Sequence, residues 1–419
     1  MTLGGQRTSV DTHSRIAYPM ALRHNPEMSA PAAEKTDDFL ALTIDEFARR
    51  AALTDQKRGR DAMGFVLLGL AGETGTLLSE AKKKQRDRAS YLGYAEGVAE
   101  ELGDVLWYLA AVARRSRIRL SEAAALASQR QQQDLDGLTF HDLQPAHIPL
   151  KKEPTPEFQR TLLKLDTEVG NLVQQVQLGV KGAKLKPNLV SVMRCLIQAA
   201  KESGVTLEAA AVKNLHKIFD RWPRDRVFPT LFDEGRDEEE QLPRRMTIDI
   251  FERKVRAQIF VYQRSGGVYV GDRLTDNAAE PDDYRFHDVF HYAYAAVLGW
   301  SPVIRALLRL KRKSDAKLDE VEDGARANLI EEGVTTWIFG QAQQLDYFDG
   351  VKRGGLPLDM LKHIRGFVAG YEVENCPLWL WEEAILEGYR AFRFLRKHRQ
   401  GRVTIDMKKR RLLVRAIPA

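Results

Sequence analysis

Carboxylate side chains recur at helical spacing in two stretches of the sequence. Glu73, Thr76 and Glu80 lie at positions i, i+3 and i+7, and Glu101 and Asp104 are three residues apart. On a helix, each spacing places the side chains on one face. Because carboxylates inside a helical bundle are costly unless a cation compensates them, the pattern predicts a site for a hard divalent cation such as Mg²⁺. The alternative is a solvated acidic face with lysine partners.

Length and composition bound the elements that can position these residues. The chain has 419 residues, which suits two or three domains, and 44% of them are hydrophobic, which is enough for globular packing. No apolar run approaches the ~20 residues that span a bilayer, so the sequence predicts no membrane attachment. Residues 1–37 are polar and lack the apolar segment of a secretory signal, which predicts a disordered leader.

The cysteine count and the net charge constrain the cellular compartment and the class of ligand. Cys195 and Cys376 are the only cysteines and lie far apart, which predicts a reducing, cytoplasmic environment rather than a disulfide scaffold. A net charge of +6 and a pI near 9.1 are compatible with polyanionic ligands, either nucleotides or nucleic acid, and equally with a mildly basic surface.

Apolar periodicity and polar breaks divide the chain. Helical patterns predict two blocks, 38–134 and 157–225, joined by a Gln-, Asp- and Pro-containing linker at 135–156. An acidic linker at 226–243 precedes a C-terminal region at 244–419. In that region "QIFVYQRSGGVYVGDRLT" predicts a hairpin around its Gly-Gly pair, helices continue to about residue 398, and "RVTIDMKKRRLLVRAI" predicts a short strand pair.

The two helical blocks repeat each other in sequence. "LLGLAGETGTLLSE" aligns with "LLKLDTEVGNLVQQ", and "ELGDVLWYLAAVARRSRIRL" aligns with "NLVSVMRCLIQAAKESGVTL". Three acids of the first block are neutral in the second: the aligned pairs are Glu80 with Gln175, Glu101 with Asn188 and Asp104 with Ser191. The acidic site is therefore expected in the first block alone.

Over residues 40–130 the sequence resembles the MazG-type all-α nucleoside triphosphate pyrophosphohydrolases. The likeness rests on "GLAGETGTLL…KKK" followed by "AEELGDVLWYLAAVA", where the family pattern is EExxE, a spacer and ExxD. The resemblance implies a helical bundle paired within or between chains. It also implies cleavage between the α and β phosphates of a nucleoside triphosphate, with Mg²⁺ or alternatively Mn²⁺, giving a monophosphate and pyrophosphate.

The resemblance also implies roles for individual residues. Carried over by position, the metal ligands are Glu73, Glu101 and Asp104. The first and last glutamates of EExxE are Gly72 and Thr76 here, so we expect Glu80, one turn further on, to join the metal ligands. Phosphoryl chemistry needs a metal, an activated water and positioning. Glu73 and Glu101 are the predicted catalytic residues, with Glu73 also orienting the water.

Basic and amide side chains are predicted to meet the substrate. Lys83 and Lys84 follow the first acidic stretch directly. The second block ends in "EAAAVKNLHKIFDRWP", which resembles the end of MazG-like domains, where an Asn and a basic residue approach the nucleotide. This implies Asn214, Lys217 and also Arg221 as substrate contacts in a fused pseudo-dimer with one active site. Alternatively, the second block only packs and Asn214 lies on a surface helix.

The C-terminal region holds a second group of potential metal ligands. His287 and His291 are one helical turn apart with Asp288 between them, and Glu331 follows later in an acidic stretch. These residues could bind a transition metal, although HxxxH spacing alone is a weak signal and buried, hydrogen-bonded histidines are the alternative. The basic run 311–313 could meet phosphate or RNA, or end a solvated helix. This region resembles the C-terminal extension of some bacterial and phage-associated MazG-like proteins, which implies no function for it.

The sequence thus predicts a mainly α protein: a MazG-like helical bundle as a tandem pseudo-dimer, plus a mostly α C-terminal domain with a few short strands. We expect a Mg²⁺-dependent nucleoside triphosphate pyrophosphohydrolase that removes unwanted nucleotides or controls the nucleotide pool. The chain is also a candidate for homo-oligomer formation. One alternative is a non-catalytic nucleotide-sensing module that controls a C-terminal effector. Another is a C-terminal active site regulated by the helical half.

Overall fold

The computed structural model describes residues 42–59, 61–129, 135–144 and 149–418. The predicted leader, residues 1–37, lies outside the described residues, as do positions 145–148 of the predicted first linker. Within the described ranges the chain is mainly α-helical, with one antiparallel sheet of five strands, which confirms the predicted fold class. The domain boundaries stay predictions.

Helices form the described chain up to residue 221. They are α1 (Ile44–Thr54), α2 (Ala62–Asp87), α3 (Tyr94–Arg115), α4 (Leu120–Ala127), α5 (Phe140–Leu143), α6 (Pro156–Gln177), α7 (Lys186–Ser203) and α8 (Leu207–Arg221). The apolar stripe of α3, including Leu102, Leu106 and Leu109, is fully buried in one core with α2 and α8. Thr155 and Thr206 cap the first turns of α6 and α8. Capping and the apolar stripe therefore fix where the helices begin and which face turns inward.

A glycine permits the close approach of α3 and α8. A Cβ atom added at Gly103 would lie 2.5 Å from the backbone oxygen of Ala210 and 2.9 Å from Cβ of Asn214. Only a residue without a side chain allows the two helices to approach so closely. Since Asp104 follows Gly103 directly, this contact sets the distance between Asp104 and the side chains of α8.

The sequence predicts no membrane-spanning segment, but residues 62–90 around α2 are long and apolar enough for one by length and composition. Of the most apolar window in this helix, 28% is buried. A core helix of a bundle meets the same criterion. Here α2 packs along α3 and α6 and carries Glu73 in its middle.

The C-terminal half combines helices with the sheet. The helices are α9 (Asp288–Leu298), α10 (Pro302–Leu308), α11 (Ala316–Val321), α12 (Ala325–Gln343), α13 (Leu358–Phe367) and α14 (Leu378–His398). The strands are β1 (Arg245–Val255), β2 (Gln258–Ser265), β3 (Val268–Tyr269), β4 (Gln400–Asp406) and β5 (Arg411–Arg415), in the spatial order β3-β2-β1-β4-β5. Every residue of α9 from Val289 to Leu298 is buried, and α9 packs along α14 at the centre of a second core.

Two of the strand predictions agree with the sheet. The hairpin around Gly266 and Gly267 joins β2 to β3, and both glycines have positive φ, as a tight two-residue turn requires. The predicted C-terminal strand pair is β4 and β5. The central strand β1 has no counterpart among the predicted strands. Its buried residues run consecutively over 248–251, so it lacks the alternation that marks a half-buried strand.

Ion pairs connect the helical bundle to the C-terminal half. Arg221 at the end of α8 donates to Glu382 of α14 at 2.8 Å, and both side chains are about 1% exposed. Glu382 also accepts from the backbone N–H groups of Gly354 and Leu356. Arg221 is therefore held between the two cores by Glu382. It does not lie beside the acidic residues, where the sequence predicted that it would contact the substrate.

Candidate metal-binding active site

Three carboxylates converge between α2 and α3. One carboxylate oxygen from each of Glu73, Glu101 and Asp104 lies within 4.8 Å of the other two, and each residue is half-buried. Glu73 comes from α2 and the other two from successive turns of α3. We call these three residues the acidic cluster. The helical spacing in each stretch, together with the packing of α2 along α3, produces this arrangement.

Thr76 bridges the two glutamates of the cluster. Its hydroxyl oxygen lies 2.5 Å from Oε2 of Glu101 and 3.2 Å from Oε2 of Glu73. A hydroxyl has a single proton to donate, so it serves one carboxylate at a time. Thr76, which stands where the resembled family has a glutamate, thus contributes a neutral oxygen at the edge of the cluster.

The second helical block supplies the partners of Asp104. Asn214 donates from Nδ2 to Oδ1 of Asp104 at 2.7 Å, and Lys217 donates to Oδ2. Lys217 also lies 3.2 Å from Oε1 of Glu100, which accepts a second hydrogen bond from Lys362 of α13 at 2.7 Å. The side chains of α8 and α13 therefore hold one edge of the acidic cluster in place.

The charges around the cluster do not balance. Among the described residues in direct contact, four carboxylates, those of the cluster and of Glu100, face the ammonium groups of Lys217 and Lys362. Fully ionised, this group carries an excess of two negative charges. Such an excess beside an apolar core favours either protonation or the binding of a divalent cation.

Burial and this excess of negative charge together shift the pKa values of the cluster. Burial, with repulsion from Asp104 and Glu73, raises the pKa of Glu101 to about 7 against the hydrogen bond from Thr76. Burial and the charge of Asp104 likewise raise the pKa of Glu73. Glu100 differs, because the attraction of Lys362 and Lys217 outweighs burial and lowers its pKa to about 2. Burial acts to lower the pKa of Lys217, but attraction by the carboxylates of Asp104 and Glu100 outweighs this effect. The pKa of Lys217 is therefore raised, and its ammonium group stays charged.

Glu80 does not join the acidic cluster. Its side chain is buried, accepts a hydrogen bond from the hydroxyl of Tyr91 and lies 2.7 Å from Nζ of Lys83. A Cβ atom added at Gly97 would lie 2.4 Å from Oε2 of Glu80, so Glu80 packs against α3 one turn before Glu101. Because Glu80 lies two turns along α2 from Glu73, its carboxylate lies beyond the three converging oxygens of the acidic cluster.

The predicted phosphate-binding lysines of α2 have local partners. Lys83 is paired with Glu80, and Lys84 donates to the backbone oxygens of Arg88 and Tyr91 at 2.8 and 2.9 Å. Their ammonium groups therefore stabilise the end of α2 and the turn that follows it. The predicted substrate contacts that the structure does bring to the cluster are Asn214 and Lys217.

The predicted C-terminal residues also converge. Ligand atoms of His287, Asp288 and His291 lie within 4.8 Å of one another, and we call these residues the histidine cluster. Glu331 is fully buried and accepts from Nδ1 of His291 at 2.8 Å, whereas the next residue, Glu332, lies 3.5 Å from Nε2 of the same ring. The residue facing the cluster is therefore Glu332 rather than Glu331.

The pKa values of the two histidines move in opposite directions. Burial lowers the pKa of His287, and the charge of His291 adds to that effect, against the attraction of Asp288. Burial also acts to lower the pKa of His291, but Glu331 and Glu332 outweigh it and raise that pKa to about 10. Without a metal, the first ring is therefore neutral at physiological pH, whereas the second is protonated between its two carboxylates.

The basic run 311–313 is not a continuous phosphate-binding surface. Arg312 is fully buried and is bonded to Asp323 and Glu372, each at 2.8 Å. Its guanidinium is thus held inside the C-terminal core by ion pairs. Sequence reasoning also missed Glu100, Lys362 and Glu332. The signal for Glu100 and Glu332 was their place in acidic pairs, beside Glu101 and Glu331. Lys362, 262 residues from its partner, has no local signal.

Comparison with known proteins supports part of the resemblance. Residues 227–418 match the family model of the MazG C-terminal domain, which supports a MazG-like relationship and confirms the expectation for the C-terminal region. A protein of Mycobacterium phage L5, described as "Gene 37 protein", is 33% identical over 63 residues, which is 15% of this chain and 55% of the phage protein. The chain thus matches about half the length of that relative. No solved structure matches. The degenerate second repeat stays a prediction.

Proposed function

We propose that the protein is a Mg²⁺-dependent nucleoside triphosphate pyrophosphohydrolase that acts in the cytoplasm and releases pyrophosphate from its substrate. The observation that carries this proposal is the acidic cluster, Glu73, Glu101 and Asp104, with its excess of negative charge and its partners from α8. The match of residues 227–418 to the MazG C-terminal domain supports it independently, since that match does not include the cluster.

The donor atoms fit a hard divalent cation. All three are carboxylate oxygens within 4.8 Å of one another, and an octahedral Mg²⁺ with bonds of about 2.1 Å holds its ligands roughly 3.0 to 4.2 Å apart. Burial, with repulsion from the neighbouring carboxylates, raises the pKa values of Glu73 and Glu101, and a bound dication would favour their ionised forms. When bound, the ion would neutralise phosphate charge and lower the pKa of a water molecule.

The side chains in and around the acidic cluster then have distinct roles. Glu101, whose pKa is raised to about 7, is matched to accept the proton of the attacking water at neutral pH, and Glu73, whose pKa is also raised, orients that water. Asn214 and Lys217 orient Asp104. An ammonium group has three N–H donors and Lys217 uses two of them, for Asp104 and Glu100, so one remains for a phosphate oxygen.

The test is pyrophosphate release from a panel of standard and modified nucleoside triphosphates in the presence of Mg²⁺. We expect Glu101→Gln to abolish release and Glu96→Gln, an exposed acid on the first turn of α3, to leave it unchanged. Absence of release from the wild-type protein with every nucleotide would overturn the proposal.

One observation favours a second candidate, a non-catalytic nucleotide-sensing module. Glu80 is held by Tyr91 and Lys83, and Thr76 is neutral, so fewer carboxylates meet than the resembled pattern provides. The contacts of Lys362 with Glu100 and of Glu382 with Arg221 would then connect nucleotide binding to the C-terminal half. Calorimetry decides between the two: nucleotide binding without any pyrophosphate release would support the sensor.

A further inference from the structure

The histidine cluster is built so that the Nε2 atoms of both rings, rather than their Nδ1 atoms, face its centre. Nδ1 of His287 lies 3.0 Å from the backbone oxygen of Tyr284, which can only accept a hydrogen bond. Nδ1 of this ring must therefore carry the proton, and its Nε2 presents a lone pair when the ring is neutral. That lone pair lies 3.1 Å from Oδ1 of Asp288, which is also an acceptor. Two acceptors at this distance need a cation between them.

His291 repeats the arrangement one helical turn further on. Its Nδ1 donates to Glu331, and Glu331 is fixed as an acceptor because it also takes hydrogen bonds from Ser301 at 2.7 Å and from the backbone of Val303 at 2.8 Å. The opposite atom, Nε2 of His291, is completely buried and has no hydrogen-bond partner among the described residues. The nearest acid is Glu332, whose Oε1 lies 3.5 Å away. An unpartnered buried nitrogen is costly unless a ligand binds to it.

A second layer of contacts orients Asp288. Gln263 of β2 donates from Nε2 to Oδ2 of Asp288, and the hydroxyl of Tyr292 donates to Oε1 of Gln263 at 2.6 Å. Tyr292 thus fixes which end of the Gln263 amide meets Asp288, and Oδ1 of Asp288 is left for the cluster. Metal sites typically show this pattern, in which each ligand is held from behind by a hydrogen bond that sets its tautomer or orientation.

We propose that His287, Asp288, His291 and Glu332 bind one transition-metal ion of the Zn²⁺ class. Bonds of about 2.1 Å at tetrahedral angles place ligand atoms roughly 3.4 Å apart. The separations of 3.1 Å between His287 and Asp288 and of 3.5 Å between His291 and Glu332 lie on either side of that value. Imidazole nitrogens select this class of ion over Mg²⁺, so the site is chemically distinct from the acidic cluster. Glu332 has a side chain 41% exposed, and its side of the site is therefore open to water or a substrate.

Protons are the competing explanation for the same contacts. A proton on His291, whose pKa is raised to about 10, would satisfy Glu332. A second proton on His287 would place two imidazolium charges in a buried setting with ring centroids 5.7 Å apart, so the lone pair of His287 would stay opposed to Asp288. One dication bound by both Nε2 atoms would satisfy the four groups without that repulsion. Metal binding therefore displaces the proton of His291, whereas protonation alone retains it.

The experiment measures metal binding to the full-length chain after removal of bound ions with a chelator. Co²⁺ is the probe, added in a large excess of Mg²⁺ so that oxygen-only sites are already occupied. We expect one Co²⁺ per chain, with the intense visible absorption of a low-coordinate site containing imidazole. His287→Asn should weaken binding by about 100-fold or more, and Gln263→Leu, behind the site, by roughly 10–100-fold.

Matched controls keep the test decisive. His363→Asn changes an exposed histidine of α13, and Glu320→Gln an exposed acid of α11; both should bind Co²⁺ like the wild-type chain. Glu332→Gln alters a partly exposed ligand and should weaken binding even if His287→Asn fails to fold. The proposal is overturned if the wild-type chain binds no Co²⁺, or if folded Glu332→Gln binds it as tightly as Glu320→Gln. No variant touches the acidic cluster, so this outcome is independent of pyrophosphate release.

Discussion

Replacing Gly103 by alanine should separate α3 from α8 and impair the acidic cluster. The added Cβ would lie 2.5 Å from the backbone oxygen of Ala210, whereas an ordinary contact begins at 3.4 Å. Both atoms at this contact belong to helices, so neither can rotate away. The helices must therefore move apart by about 0.9 Å. This displacement acts directly on the 2.7 Å hydrogen bond between Asn214 and Asp104.

Two opposing free-energy effects accompany the Gly103→Ala substitution. Overpacking costs roughly 1–3 kcal/mol, and alanine in place of glycine within a helix recovers about 1 kcal/mol. The net loss in the free energy of unfolding is thus about 0–2 kcal/mol, and the protein should remain folded. Activity should suffer more, because a displacement of about 1 Å at an active site costs around 100-fold in rate.

Gly170→Ala is the matched control for Gly103→Ala. It lies inside α6, and a Cβ atom there meets nothing within 4 Å, so it should raise the free energy of unfolding by about 1 kcal/mol through helix propensity alone. Urea unfolding and pyrophosphate release are measured for both variants. Equal stability gains would refute the close-packing argument, and unchanged pyrophosphate release in a destabilised Gly103→Ala would refute the link between this contact and the site.

Two further predictions concern protonation and the buried ion pair. The pKa of Glu101 is raised from 4.5 to about 7, so its contribution to stability without metal is fully present below pH 4.5 and is lost as the pH rises through 7. Because Mg²⁺ needs the ionised carboxylate, its affinity should fall as the pH drops below about 7; calorimetry at pH 6 and pH 8 checks this, and equal affinities would contradict it. Arg221→Met should lower the free energy of unfolding by about 3–5 kcal/mol, because it leaves Glu382 buried without its 2.8 Å partner. Adding Glu382→Gln removes the unpaired charge but keeps an oxygen acceptor for the backbone N–H groups of Gly354 and Leu356, so it should recover part of that loss in thermal or urea unfolding. A double variant no more stable than Arg221→Met would count against the explanation.

Local patterns in the sequence determined the elements and their faces. Helical spacing was enough to place Glu101 and Asp104 on one face of α3, because residues three apart lie side by side on any α-helix. The Gly-Gly pair predicted the β2–β3 hairpin, since glycine alone adopts positive φ at both turn positions without strain. The mainly α fold class followed from the same periodicity. These are short-range effects, so they can be read without knowing the neighbours.

Only the tertiary structure decided which of the candidate residues meet. Glu80 has the helical spacing of a ligand, yet its neighbours Tyr91, Lys83 and Gly97 hold it two turns beyond Glu73 and outside the acidic cluster. Glu332 rather than Glu331 faces the histidine cluster, a distinction set by how α12 is rotated against α9.

Long-range partners were equally hidden from the sequence. Lys362 reaches Glu100 across 262 residues, and Arg312 belongs to a buried ion-pair network rather than to a basic surface. Spacing fixes the face of a helix on which a side chain lies. The packing of helices distant in sequence fixes what that face meets, because the apolar stripes that bury one helix against another determine rotation and distance together.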